Sequence, residues 1–136
     1  MVKILTRYEG GLHCILTHGP SGSTLPTDAP KDNMGKGEAF SPTDLMAAAL
    51  GSCMATTMGI YASRHSIPLE GLEVEVIKEM AATPSRRIGK LTVTLKMPKG
   101  LSADNRTVLE RTALTCPVHK SLHPDVEIPV TFQYPD

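Results

Sequence analysis

Cys53 and Cys116 are the residues of this 136-residue chain best suited to chemistry. A third thiol, Cys14, falls in Leu12-His13-Cys14-Ile15, a strand-like run where a cysteine reads as a small packed side chain. No CxxC pair occurs, which excludes a zinc ribbon or a thioredoxin-type motif. Cys116 directly precedes Pro117, which disfavours a helical conformation at Cys116 and suits the first position of a helix. A thiol at a helix start faces unsatisfied N–H groups and the positive end of the dipole, and both favour the reactive thiolate. Cys53 lies mid-way along an apolar helical stretch. Its own surroundings leave two readings open, a core filler and a nucleophile. Cys116, His119 and His123 follow an i, i+3, i+7 spacing that could hold a metal. Pro124 closes that segment and the set is short of a tetrahedron, so no metal or other cofactor is expected.

The elements that must position these thiols are legible from pattern. Val2–Tyr8 and Leu12–Thr17 flank Gly10-Gly11 and read as a hairpin, followed by a short strand near Ser23–Thr27 in a long Gly/Pro/Ser-rich segment. Ser41-Pro42-Thr43-Asp44 combines an N-cap serine, a proline at the first helical position and an acid at the third, so a helix should run to about Arg64. Leu72–Ala81 and Lys90–Met97 alternate as two strands around a turn at Thr83–Arg87. Ser102 caps a helix over Ala103–Thr115, a short helix spans Val118–Leu122, and Glu127–Gln133 is a last strand. This order predicts an α+β fold with an antiparallel sheet, with residues 1–136 as a single domain.

From Leu45 to Ala62 the first helix carries no charge. Ser52, Thr56, Thr57 and two glycines dilute it, and a membrane span is not expected. A helix apolar on all sides must be covered on all sides, and one sheet covers one face. Ala47, Gly51, Ala55, Gly59 and Ser63 also form a ridge of small residues that suits close packing. Together these predict a homodimer, with the chain's own second helix as the other candidate cover.

Bulk composition narrows the partners. Fourteen basic and fourteen acidic residues give zero net charge, and Arg86-Arg87 in a turn is no nucleic-acid footprint. The start MVKILTRYEG lacks an apolar signal core, so the expected location is cytoplasmic. Gly19–Thr24 has the composition of a phosphate loop but no following lysine or helix, and reads as a turn.

The runs Phe40-Ser41-Pro42-Thr43-Asp44-Leu45 and Ala47-Ala48-Ala49-Leu50-Gly51-Ser52-Cys53-Met54 resemble the central-helix motif of the OsmC/Ohr superfamily, the osmotically inducible and organic-hydroperoxide-resistance proteins. Cys116-Pro117-Val118-His119-Lys120-Ser121-Leu122 resembles its second-cysteine motif, and the element order agrees along nearly the whole chain. The resemblance implies an OsmC-like fold, with antiparallel sheets wrapped around central helices in an intertwined homodimer. It implies a peroxidase cycle on organic hydroperoxides, with Cys53 peroxidatic, Cys116 resolving and an external dithiol, such as a lipoyl group, as reductant. It also implies an arginine and a glutamate beside the nucleophile. Arg7 is the only arginine before Cys53, and Asp44 follows Thr43, which stands at the glutamate's position. Asp44 serves equally as the cap of its own helix. These departures point to the broader OsmC-like branch, for which a non-catalytic dimer that binds a small apolar molecule or senses redox state is the alternative function.

Overall fold

Turn chemistry and strand alternation set the first elements in the computed structural model, which describes residues 1–135. The described residues divide into two units, the first Met1–Met46 and the second from Ala47 onward.

In the first unit, β1 (Ile4–Gly10), β2 (His13–His18) and β3 (Thr24–Asp28) form an antiparallel sheet in that order. The β1–β2 turn needs left-handed backbone at Gly10, Gly11 and Leu12, and the two glycines take it without steric cost. The Gly19–Thr24 segment is a turn, closed by the Gly22 N–H donating to the His18 carbonyl at 2.8 Å. Past β3, the chain makes one 3₁₀ turn at Lys31–Asn33. The buried Asp28 accepts the Glu38 N–H at 3.1 Å and its own N–H donates to Phe40, which ties the long segment back to β3.

Helix α1 (Pro42–Arg64) starts where the capping pattern predicts. The Asp44 N–H donates to Ser41 Oγ at 3.0 Å, and the Ser41 N–H donates to Asp44 Oδ2 at 2.9 Å. That is a reciprocal capping box, which satisfies two orphan donors. At the other end Ser66 adopts a left-handed φ of 53°, and the Ile67 N–H returns to the Ala62 carbonyl at 2.9 Å, which closes the helix.

In the second unit, β4 (Glu73–Ala81) and β5 (Arg87–Lys96) pair antiparallel, and β6 (Val130–Gln133) adds to β5 in parallel. The expected all-antiparallel sheet is therefore corrected to a mixed one. The link from β5 to β6 holds α2 (Ala103–Ala113) and α3 (Pro117–Ser121), a crossover long enough to bring the chain back in the same direction. Only Val130–Gln133 of the expected last strand is regular, although Glu127 forms an isolated bridge with Lys90.

The core of this unit packs one face of α1, through Leu50, Met54 and Met58, with Leu91, Val93 and Leu95 of β5 and Leu109 of α2. Each large side chain so buried contributes about 1.5–3 kcal/mol. Gly51 belongs to this face. A Cβ there would sit 3.2 Å from Val76 Cγ2 and 3.5 Å from Val74 Cγ1 of β4. The small residue at Gly51 thus admits the chain's own sheet, whereas a Cβ at Gly59 would meet nothing within 4 Å. The opposite face is open, with Met46 44% and Ile60 49% exposed. By length and composition α1 is apolar enough to cross a membrane, a test that core helices of soluble proteins also pass.

Candidate thiol site

Two elements of the second unit deliver the site. Cys53 is on α1 one helical step from the core residue Met54, and is half-buried. Cys116 is the N-cap of α3 and is fully buried. Ser102 fixes the approach, its Oγ accepting the Asn105 N–H at 3.2 Å to start α2, which ends at Ala113 just before Cys116. Pro117 then opens α3, as its fixed φ favours.

The fold brings the two thiols together. The Cys116 thiol and the Val118 N–H at the head of α3 both come near enough to Cys53 to favour its ionised form. Thr57, one turn along α1, places Oγ1 4.0 Å from Cys53 Sγ. Burial is the largest influence on Cys53 and opposes ionisation, but these three neighbours together hold its pKa below the ordinary thiol value. Cys116 moves the other way. Burial pushes its pKa up first, and its hydrogen bond to Cys53 and the charge of the Cys53 thiolate push further. The His119 N–H, 3.4 Å from Cys116 Sγ, offsets only part of that rise.

Local sequence context favours ionisation at Cys116, whereas the roles implied by the family resemblance place it at Cys53. The helix start at Pro117 favours ionisation of the neighbouring Cys53 as well as of Cys116 itself, and the balance lowers the Cys53 pKa and raises that of Cys116. The pair thus has one thiol eased toward ionisation beside one held back from it, an arrangement suited to attack on an electrophile followed by thiol–disulfide exchange. Val118 and Thr57 are the contributors that sequence reasoning missed. Thr57 had a signal, the i+4 spacing from Cys53 on one helix face. Val118 acts through its backbone and had none.

The other expected site residues lie in the first unit. Asp44 caps α1 through Ser41. Arg7 is exposed on β1, opposite Ile15 of β2. Cys14 is on β2 opposite Tyr8 and Thr27.

A family model described as OsmC-like protein matches residues 35–131. Among solved structures, a protein of Psychrobacter arcticus 273-4, provisionally named for osmotic stress induction and a detoxification response, is 43% identical. It superposes with a TM-score of 0.91, covering 98% of this chain and 96% of that one. Two remote structures share the fold. The organic hydroperoxide resistance protein OsmC of Legionella pneumophila is 19% identical with a TM-score of 0.78, covering 98% of this chain and 96% of that one. Organic hydroperoxide resistance protein OhrB of Bacillus subtilis is 20% identical with a TM-score of 0.71, covering 98% of each chain. No curated protein sequence matches significantly.

Proposed function

Since the chain belongs to the OsmC-like protein family, whose structural relatives include hydroperoxide-resistance proteins, we propose that it is a thiol peroxidase that reduces organic hydroperoxides. The observation that carries this reading is the juxtaposition of Cys53 with Cys116 at the cap of α3, in surroundings that lower the Cys53 pKa and raise that of Cys116. Cys53 is the attacking residue. Its sulfur lone pair takes the terminal peroxide oxygen, an S–O bond forms as the O–O bond breaks, and the electron pair leaves on an alkoxide that water protonates. Sulfur is oxidised to sulfenic acid and the peroxide is reduced to an alcohol and the transferred oxygen. Cys116 then attacks the Cys53 sulfur. The proton that Cys116 kept leaves with the hydroxyl as water, and a Cys53–Cys116 disulfide forms. A raised pKa on Cys116 suits this order, because the residue arrives with the proton the leaving group needs. An external dithiol completes the cycle by two thiol–disulfide exchanges, becoming a disulfide itself.

The same reading makes the protein a cytoplasmic homodimer, and Arg7 and Asp44 are the further residues that the family resemblance offers as candidates. The open α1 face with Met46 and Ile60, and Ile4, Leu5 and Tyr8 of β1, all around half or more exposed, support a second chain as the missing cover. Sedimentation at micromolar concentration checks this, and a well-folded monomer refutes the homodimer.

The test of function is to treat the reduced protein with cumene hydroperoxide and map its cysteines by mass spectrometry. Wild type should form the Cys53–Cys116 disulfide at near-stoichiometric peroxide. Cys116→Ser should stop at Cys53 sulfenic acid and pass to sulfinic acid with excess peroxide. Hydroperoxide consumption that survives in Cys53→Ser would refute the assignment.

A further inference from the structure

The two threonines of α2 behave as mid-helix threonines usually do. Thr107 donates to the Ala103 carbonyl at 3.1 Å and Thr112 to the Val108 carbonyl at 2.8 Å, each four residues back. Thr57 of α1 instead has its Oγ1 4.0 Å from the sulfur of Cys53, four residues back. Thr57 is half-buried in a helix that carries no charged side chain from Leu45 to Ser63. Threonine is a weaker helix former than the alanines that fill so much of α1, so helix formation does not ask for it here.

We infer that Thr57 is a residue of the thiol site itself, its hydroxyl donating to the Cys53 sulfur and holding that sulfur as a nucleophile. The inference deepens the peroxidase reading and rests on it for the identity of Cys53 as the attacking residue. Its physical basis is the difference between the three donors. Cys116 and Val118 stand at the head of α3, and Cys116 must give up its proton when the disulfide forms. The Thr57 hydroxyl is carried by the same helix as Cys53, so the i, i+4 geometry keeps it beside the sulfur throughout a cycle. The titratable group that faces Cys53 is Cys116, from the cap of α3. Cys53 lies beyond the first turn of α1, where the helix dipole has faded, which leaves local donors to do the activating.

The experiment compares Thr57→Val, Thr57→Ala and Thr57→Ser with wild type. The rate of Cys53 alkylation by iodoacetamide is followed from pH 5 to pH 10, resolved by peptide mass spectrometry so that Cys14 and Cys116 do not contribute. Val keeps the shape and loses the hydroxyl, Ala loses both, and Ser keeps the hydroxyl. Val and Ala should slow Cys53 alkylation about threefold to tenfold at neutral pH, as expected for one lost hydrogen bond to an ionised group of modest strength. The pH midpoint should move upward, with the rates converging at high pH where every Cys53 is thiolate. Ser should follow the wild-type curve. A Val or Ala curve that overlays wild type overturns the inference, and so does a Ser curve as slow as that of Ala. If Val disturbs folding, the comparison of Ala with Ser decides alone. No peroxide is used, so a protein that consumes no hydroperoxide refutes the peroxidase reading without touching this result.

Discussion

Tyr134→Phe isolates the contact that ties α2, and through it Cys116, to the end of β6. Tyr134 donates its hydroxyl to Glu110 Oε2 at 2.5 Å, while the Arg106 guanidinium carbon lies 4.2 Å from the ring centroid. Phenylalanine keeps the ring and the cation–π contact and deletes only the O–H donor. Hydrogen bonds to charged groups contribute about 1.5–3 kcal/mol, and both partners here are half-buried, so the expected loss is about 2 kcal/mol. For a chain of this size that corresponds to a fall in melting temperature of roughly 6–10 °C. The assay is urea unfolding of wild type, Tyr134→Phe, Glu110→Gln and the double variant. In the double variant the two losses should fall short of additive by about 1 kcal/mol or more. The pH dependence has a definite sign. Burial first, and then the bond to Glu110, raise the Tyr134 pKa above its ordinary value of 10. The stabilisation is therefore full below pH 10 and declines above it, as the unfolded chain loses a proton that the folded chain still holds. Wild type should lose stability faster than Tyr134→Phe above pH 10. A cost below about 0.5 kcal/mol, or full additivity with Glu110→Gln, would refute the reasoning.

The two glycines of α1 should respond with opposite signs. Gly51→Val forces side-chain atoms into Val76 and Val74 and should cost about 2–3 kcal/mol in urea melts. Gly59→Ala meets no atom within 4 Å and should gain up to about 1 kcal/mol. A loss at Gly59 would mean that a second chain packs closely there. Asp44→Ala removes one half of the capping box and should cost about 1 kcal/mol in the same assay. A slower Cys53 alkylation in Asp44→Ala would add that carboxylate to the thiol site.

What could be read in advance followed the range of the forces. The start of α1 was legible because Ser41 and Asp44 satisfy each other's backbone within three residues. Pro117 marked the head of α3, and Ser102 that of α2, for the same local reason. The direction of β6 was not legible, because it depends on where the α2–α3 crossover returns the chain, and nothing in Val130–Gln133 encodes that. The ridge of small residues was seen, but its partner was not, since the atoms that crowd Gly51 belong to Val74 and Val76 on a separate strand. Both thiols stand out in the sequence, but their division of roles comes only from the family resemblance, because local context speaks for Cys116 alone. Cys116 carries its own helix start in the sequence next to it. The donors that serve Cys53 come in part from the backbone of Val118, whose proximity only the fold creates.

The sulfur of Cys116 is also the acceptor for the His119 N–H. In a disulfide that atom is a poorer acceptor and its direction is fixed by a second covalent bond. The helix it caps has five residues, too few to hold its hydrogen bonds without help. Oxidation of the pair would therefore register in the backbone as well as at the thiols. The amide of His119 should exchange with solvent slowly in the reduced protein and quickly in the oxidised one, so that a partner molecule could read the redox state from the order of a single turn.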